Sequence, residues 1–216
     1  MRPSSTAPPP RRIRRKPQDA EREILEAAEL FLRDHDFRDL TVEAVMAGTG
    51  MRRSAFYNYF ADRNELVMRL LEQIGDEMMD AARPWLDDAG PAREALRAGL
   101  DQVVEIYARH GRLLRAAHEA SFHDHEMERF YRAFLVDSFI EAVAKRLRRE
   151  RRAGRSAVTR PDDVAHALLT LNVNVLVERL GRTPPDSPLA VARTLRFMWE
   201  QAIYGRLDDT PEPRGR

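Results

Sequence analysis

The chain has 216 residues, 43% of them hydrophobic, no cysteine and a formal net charge of +1. That suffices for one sizeable core, or for one core with an appended domain of about fifty residues. Zero cysteines exclude disulfides, thiol nucleophiles and thiolate metal sites. No run approaches the ~18 apolar residues that span a bilayer, and the Pro- and Arg-rich N-terminus lacks the apolar stretch of a secretory signal. The expectation is a soluble, cytoplasmic protein with no membrane partner.

The near-neutral total conceals a division along the chain. Residues 1–18 hold Arg2, Arg11, Arg12, Arg14, Arg15 and Lys16 and no acid, so the remainder is net −5. Five of the thirteen prolines lie in residues 1–17, where too few apolar groups exist to offset ordering. This segment is expected to be a disordered basic arm, of the kind that engages nucleic acid or anionic lipid.

Helical patterning begins at Asp19. Ile24, Leu25, Ala28, Phe31 and Leu32 recur at spacings of three and four, which predicts a first helix to about Asp34, followed by a loop over 35–40. Thr41 is placed to cap a short second helix carrying Val42, Val45 and Met46, stopped by Gly48 and Gly50. A third segment runs over 53–60. Asp62 with Glu65 reads as a capping box for a long fourth helix that ends before Pro84. Further helices are predicted over 91–110, 112–121, 124–152, 161–180 and 188–205, divided by Gly111, by Gly154 and by Pro184, Pro185 and Pro188. No segment alternates at period two for long, so the expected class is all-α with about nine helices. Residues 207–216 read as a flexible tail.

Two short helices joined by a tight glycine-containing turn, directly behind a basic arm, describe a helix-turn-helix, whose expected partner is double-stranded DNA. The third segment must present its N-terminal side chains to the major groove, with aromatic and hydroxyl groups reaching phosphates on either side. Arg52, Arg53, Ser54 and Tyr57 meet that requirement, while Phe56 and Phe60, four residues apart, would hold the segment onto its neighbours. Tyr57, Asn58 and Tyr59 could bond phosphates or bases. The two arginines could fork onto guanine or bind phosphate only.

The stretch LTVEAVMAGTGMRRSAFYNYFADRNEL, residues 40–66, resembles the signature of the TetR family of transcription regulators: a capped helix, a small-Gly turn, an aromatic-rich recognition helix and a Lys/Arg-x-Glu-Leu start to helix four. The resemblance implies DNA contacts from Thr41, Arg52, Arg53, Ser54, Ala55, Tyr57, Asn58 and Tyr59, with Arg63 as the cation set against the DNA backbone. Arg52 stands where the family has a small hydroxyl residue and Ala55 where Thr is frequent, so an operator cannot be transferred from relatives. Further along, G-L-x-x-V-x-x-x-Y over 99–107 and W-x-x-x-I-Y-G over 199–205 resemble the EthR-like branch. They imply an elongated tunnel lined by Leu96, Val103, Tyr107, Tyr131, Phe134, Asn172 and Trp199 that takes a small apolar effector.

An amide such as Asn172 inside the apolar run 168–177 must find a partner, in a ligand or in a neighbouring helix. The long seventh helix is expected to turn Met127, Phe130, Tyr131, Phe134, Ile140, Val143 and Leu147 inward, as core or as pocket wall. Helices eight and nine are apolar over most of their circumference and need cover on two sides, which predicts a homodimer through them. The expected organisation is an arm over 1–17, a reading head over 18–63, a ligand-binding and dimerisation domain over 64–206, and the tail. His118, His123, Asp124, His125 and Glu126 lack regular ligand spacing and read as solvated loop residues, so no metal or other cofactor is expected. The basic run over 145–155 reads as a solvated helix end. A helical enzyme or a lipid-carrier-like protein using the same apolar interior is the alternative. No nucleophile-base pair, phosphate loop or metal signature supports the first.

Overall fold

The computed structural model describes residues 17–205, so the predicted arm, apart from Pro17, and the tail lie outside the described residues. All regular elements within that range are helical: α1 Pro17–Asp34, α2 Val42–Ala47, α3 Arg53–Phe56, α4 Arg63–Leu86, α5 Ala92–Ala120, α6 His125–Arg132, α7 Ser138–Arg152, α8 Pro161–Leu180 and α9 Pro188–Tyr204, with a π-helical segment Ala133–Asp137 joining α6 to α7. None is long and apolar enough to cross a membrane.

The head is α1 to α3. Ile24, Leu25, Ala28 and Leu32 of α1 bury themselves against Leu40, Val45, Met46, Phe56 and Phe60. The loop before α2 contains a 3-10 turn, Phe37–Asp39. α3 is a single turn, shorter than the predicted span, and hydrogen-bonded turns at Asn58, Tyr59 and Phe60 carry the chain on to α4. Packing of the buried Phe56 and Phe60 rings, tilted against each other with centres 5.4 Å apart, fixes that short piece where helix propensity could not.

The body is α4 to α9, and three features differ from the periodicity-based reading. First, α5 runs unbroken through Gly111. A Cβ there would stand 2.4 Å from the Leu180 carbonyl oxygen at the end of α8, so this glycine is kept for close helix packing rather than for breaking. Second, α4 continues past Pro84 to Leu86, because a proline so near the C-terminus costs one hydrogen bond while the buried Trp85 and Leu86 hold the last turn.

Third, the buried stripe of α6 and α7 follows Tyr131, Leu135, Phe139, Val143 and Leu147, a spacing of four throughout. In an ideal α-helix that stripe would drift ~40° per step, and the wider π turn at Ala133–Asp137 takes up part of the drift. The register shift turns Phe134 outward, 46% exposed, and leaves Met127, Phe130 and Ile140 only partly buried.

Candidate functional site

The turn between α2 and α3 is built by three residues. Thr41 accepts a hydrogen bond from the Ala44 amide at 3.1 Å and caps α2. Gly50 adopts φ +64°, a left-handed conformation that favours glycine. The buried Thr49 hydroxyl donates to the Met46 carbonyl at 2.9 Å and accepts from the Met51 amide at 3.1 Å. With Phe56 and Phe60 held inside, Arg52, Arg53, Ser54, Tyr57 and Asn58 stand exposed together.

Their guanidinium groups differ. Arg53 pairs with Glu43 at 3.0 Å and reaches the Tyr57 hydroxyl at 3.4 Å, whereas Arg52 has no ion pair among the described residues. Ala55 and Tyr59 are half-buried against the head core. Arg63 donates to the Leu40 carbonyl at 3.3 Å and lies 5.2 Å from the Phe37 ring centre, so part of its role is to join α4 to the head.

In the body, α4, α5, α7, α8 and α9, with Leu135 of the π segment, enclose a chamber of about 60 Å³. Five of the seven anticipated tunnel residues reach its wall: Leu96, Val103, Tyr107, Asn172 and Trp199. Tyr131 and Phe134 do not. Tyr131 is buried beside His118 and borders a separate recess, and Phe134 stacks on Phe130 at the surface because of the register shift. Met78, Ala82, Trp85 and Leu86 of α4 complete the wall, and helical periodicity had marked none of them as lining.

Two buried polar atoms of wall residues lack partners, the acceptor Asn172 Oδ1 and the donor Trp199 Nε1. Burial, with Tyr131 beside it, pushes the Tyr107 hydroxyl well above its usual pKa, so it stays neutral. No charged side chain lines the chamber.

Below the chamber lies a cluster that sequence reasoning took for solvated charge. Arg146 and Glu150 are both fully buried, 2.7 Å apart, and Arg146 also pairs with Asp88 at 2.7 Å. Arg155 joins both acids, and Arg149 donates to the Leu86 carbonyl. The Arg146 guanidinium lies 5.6 Å from the centre of the Trp85 ring, which itself donates to Tyr204 at 3.0 Å and meets Trp199 edge-on. The hydrogen bond from Arg146 holds the Asp88 carboxyl below the usual carboxylate range. The alternation of cations with Glu150 and the distant Asp88 was the available signal, since an i, i+4 Arg–Glu pair is as compatible with burial as with solvent.

The histidine and acid cluster is dispersed. Asp124 caps α6, accepting from Glu126 and Met127, His125 faces Glu128, and His118 is half-buried within α5. Among the described residues no group of three or more such side chains could hold a metal ion.

Comparison with known proteins matches both halves of this architecture. Residues 24–70 match the family described as bacterial regulatory proteins, tetR family, and residues 96–205, just over half of the chain, match the C-terminal domain of the transcriptional regulator EthR. The HTH-type transcriptional regulator EthR of Mycolicibacterium smegmatis is 29% identical over 211 residues, covering 94% of this chain and 96% of its own. Its namesake from Mycobacterium tuberculosis is 28% identical over 191 residues, 87% and 88% of the two chains.

Among solved structures, a TetR-family regulator from Syntrophomonas wolfei superposes with a TM-score of 0.73 at 13% identity, over 91% of this chain and all of the other. FadR of Thermus thermophilus, a TetR-family repressor solved with lauroyl-CoA, gives 0.64 at 19%, again over 91% and all. The chain belongs to the TetR family of DNA-binding transcriptional regulators, with a ligand-binding C-terminal domain of the EthR type, and is not an enzyme.

Proposed function

We propose that this regulator is a cytoplasmic repressor, which as a homodimer binds a palindromic operator and is released by a small, mostly apolar effector held in the α4–α9 chamber. The observation that carries the reading is α4 itself. Its first residue, Arg63, is bonded to the head at Leu40, and its last turns, from Met78 to Leu86, form one wall of the chamber. An effector that displaces that wall moves the head, and a preference of ~1–3 kcal/mol for the non-binding spacing is enough coupling. Residues 18–63 then act as reading head and residues 64–206 as sensing and dimerising body.

Arg52, Arg53, Ser54, Tyr57 and Asn58 are the base- and phosphate-contacting set, with Thr41 at the flank and Ala55, Tyr59 and Arg63 supporting them. In the chamber the effector meets Leu96, Val103 and Tyr107 and offers a polar group to Asn172 and Trp199, whose free acceptor and donor would otherwise stay unsatisfied. The dimer face is weighted toward α9. Leu168, Leu169, Val173, Leu176 and Val177 of α8 are buried within the chain, while Leu189, Phe197 and Met198 of α9 are exposed and Leu171 and Val175 of α8 half-buried. A second copy covering these residues gives the two-fold assembly that a palindrome requires.

Electrophoretic binding to the DNA upstream of its own gene tests the reading. Apolar compounds that raise the melting temperature of the protein are expected to abolish the shifted band, and a band unchanged by all of them would remove the release step. Deleting residues 1–17 should flatten the dependence of log K on log salt while leaving site preference intact. A protein that stays monomeric and binds all duplexes equally would end the operator reading.

A further inference from the structure

A recess of about 700 Å³ opens at the seam between head and body and shares no residue with the chamber wall. Asp36 and Arg38 of the loop before α2 border it, with Arg112 and Arg115 of α5 and Arg182 of the turn after α8. Two glycines bring the last three cations together. Gly111 packs against the Leu180 carbonyl, and a Cβ on Gly181 would lie 2.7 Å from the Cβ of Arg115. α5 and the end of α8 therefore cross almost backbone to backbone, which gathers Arg112, Arg115 and Arg182 at one recess.

Four arginines thus meet two bordering acids, Asp36 and Glu119. Arg112 donates to Asp36 at 2.8 Å and Arg115 to Glu119 at 2.8 Å, Arg182 shares Asp186 with Arg179, and Arg38 has no ion pair among the described residues. Each guanidinium carries several N–H donors, so these contacts leave most of them open to a ligand. Arg112–Asp36 is also the shortest ion pair between head and body among the described residues, since Glu29–His110 and Glu21–Arg69 both stand at 3.9 Å.

Asp36 shows what this seat prefers. Its carboxyl is held below the usual carboxylate range by the Arg112 hydrogen bond first, then by the charges of Arg112 and Arg38, against the opposing effect of burial. Cations of the body and of the head already converge on one anionic group. A phosphoryl group has more oxygens and more charge than a carboxylate, so two arginines can fork onto it at once and draw Arg112 away from Asp36. The recess is far roomier than a single phosphate, which leaves space for the organic part of a ligand.

We propose that this recess binds a small phosphorylated molecule of the diphosphate class, held by Arg112 and Arg115 of the body and Arg38 of the head, which replaces Asp36 as the link between them. The site is separate from the effector chamber and does not depend on what the chamber holds.

Calorimetric titration of the intact protein at low salt with pyrophosphate, orthophosphate and citrate tests the assignment. Pyrophosphate should bind more tightly than either of the others. Arg112→Gln and Arg115→Gln should each weaken pyrophosphate about fivefold or more, and Arg38→Gln about threefold, because each removes a charge-assisted hydrogen bond. Asp36→Asn removes the internal competitor and should tighten pyrophosphate about threefold, a gain that a misfolded variant cannot give. The cations of residues 1–18 also attract pyrophosphate, but equally in every variant, so the differences report the recess alone.

Pyrophosphate affinity that none of the four substitutions alters would overturn the site, and an Arg38→Gln variant indistinguishable from the parent would remove the head from it. Citrate binding as tight as pyrophosphate would overturn the phosphoryl class. A scrambled duplex that loses affinity in Arg112→Gln and Arg115→Gln, and that pyrophosphate displaces only from the unsubstituted protein, would make the recess a DNA-backbone contact and overturn the small-molecule ligand.

Discussion

The two ends of α4 are held in opposite ways. At the head end Leu66, Val67, Leu70 and Leu71 are buried but the polar fastenings are few: Asp62 accepts from the Glu65 amide at 2.9 Å, Glu65 accepts from the Ala61 amide at 2.6 Å, and Arg63 bonds Leu40. At the body end, Trp85 is buried and bonded to Tyr204, the Leu86 carbonyl accepts from Arg149, and Arg146 lies beneath in a fully buried ion pair with Glu150. In the proposed release mechanism a push on the wall at Met78 and Ala82, just before this clamp, is passed toward the end held by fewer polar bonds. That difference is why, in the proposed release mechanism, a chamber bounded by Met78 and Ala82 is expected to address the reading head.

Breaking the clamp should give the largest effect. In Glu150→Ala, Arg146 loses its buried partner and keeps only Asp88, so the loss of stability expected in urea unfolding is ~3–5 kcal/mol. A loss below ~1 kcal/mol, the worth of an exposed pair, would mean that water reaches the cluster and the clamp is loose. Below its melting temperature this variant should also show weaker release of DNA by effector, because the push is then shared between both ends.

The head supplies the next two tests. Arg52, which has no ion pair among the described residues, should cost ~1–3 kcal/mol of operator discrimination when changed to Ala, read as the ratio of affinities for the operator and a scrambled duplex. Arg53 is engaged with Glu43 at 3.0 Å, so Glu43→Gln should free it and tighten DNA binding about twofold to fivefold at low salt. If Arg53→Ala is the more damaging change, the Glu43 pair is an orienting contact rather than a competitor. Thr41→Ala removes the α2 cap and should cost ~0.5–2 kcal/mol of stability, with a matching loss of affinity if the cap positions α3.

The head was legible because its determinants are local: a cap, a left-handed glycine and a pair of aromatics four residues apart all act within some twenty residues. The body was legible only where a single α-helical period applied. Leu96, Val103, Tyr107, Asn172 and Trp199 lie on uninterrupted helices and reach the chamber, whereas Tyr131 and Phe134 flank or occupy the π segment, where the period changes. Gly111 looked like a breaker because sequence shows a missing side chain but not the helix end pressed against it. The ion-pair cluster escaped notice for a related reason, since the burial of Arg146 depends on Trp85, Asp88 and Tyr204, far away along the chain.

The smallest expected effect lies where the head rests on the body. His110 of α5 is buried with Nε2 3.9 Å from the Glu29 carboxylate of α1, and Arg33 of α1, Glu77 of α4 and Arg109 of α5 surround the pair. Burial lowers the His110 pKa below 6.5, outweighing the pull of Glu29 and Glu77, which Arg109 and Arg33 partly cancel. A depressed histidine contributes stability that is present above the unfolded value of ~6.5 and is lost as pH falls through the folded value. Melting temperature should therefore decline between pH 7.5 and 5.5, before the carboxylates of Asp36 and Glu200, which arginine hydrogen bonds hold below their usual range, begin to protonate. His110→Gln should flatten that decline, leaving the part due to His118, which burial also depresses. An undiminished slope would place the titrating proton elsewhere and leave the α1–α5 contact insensitive to acid.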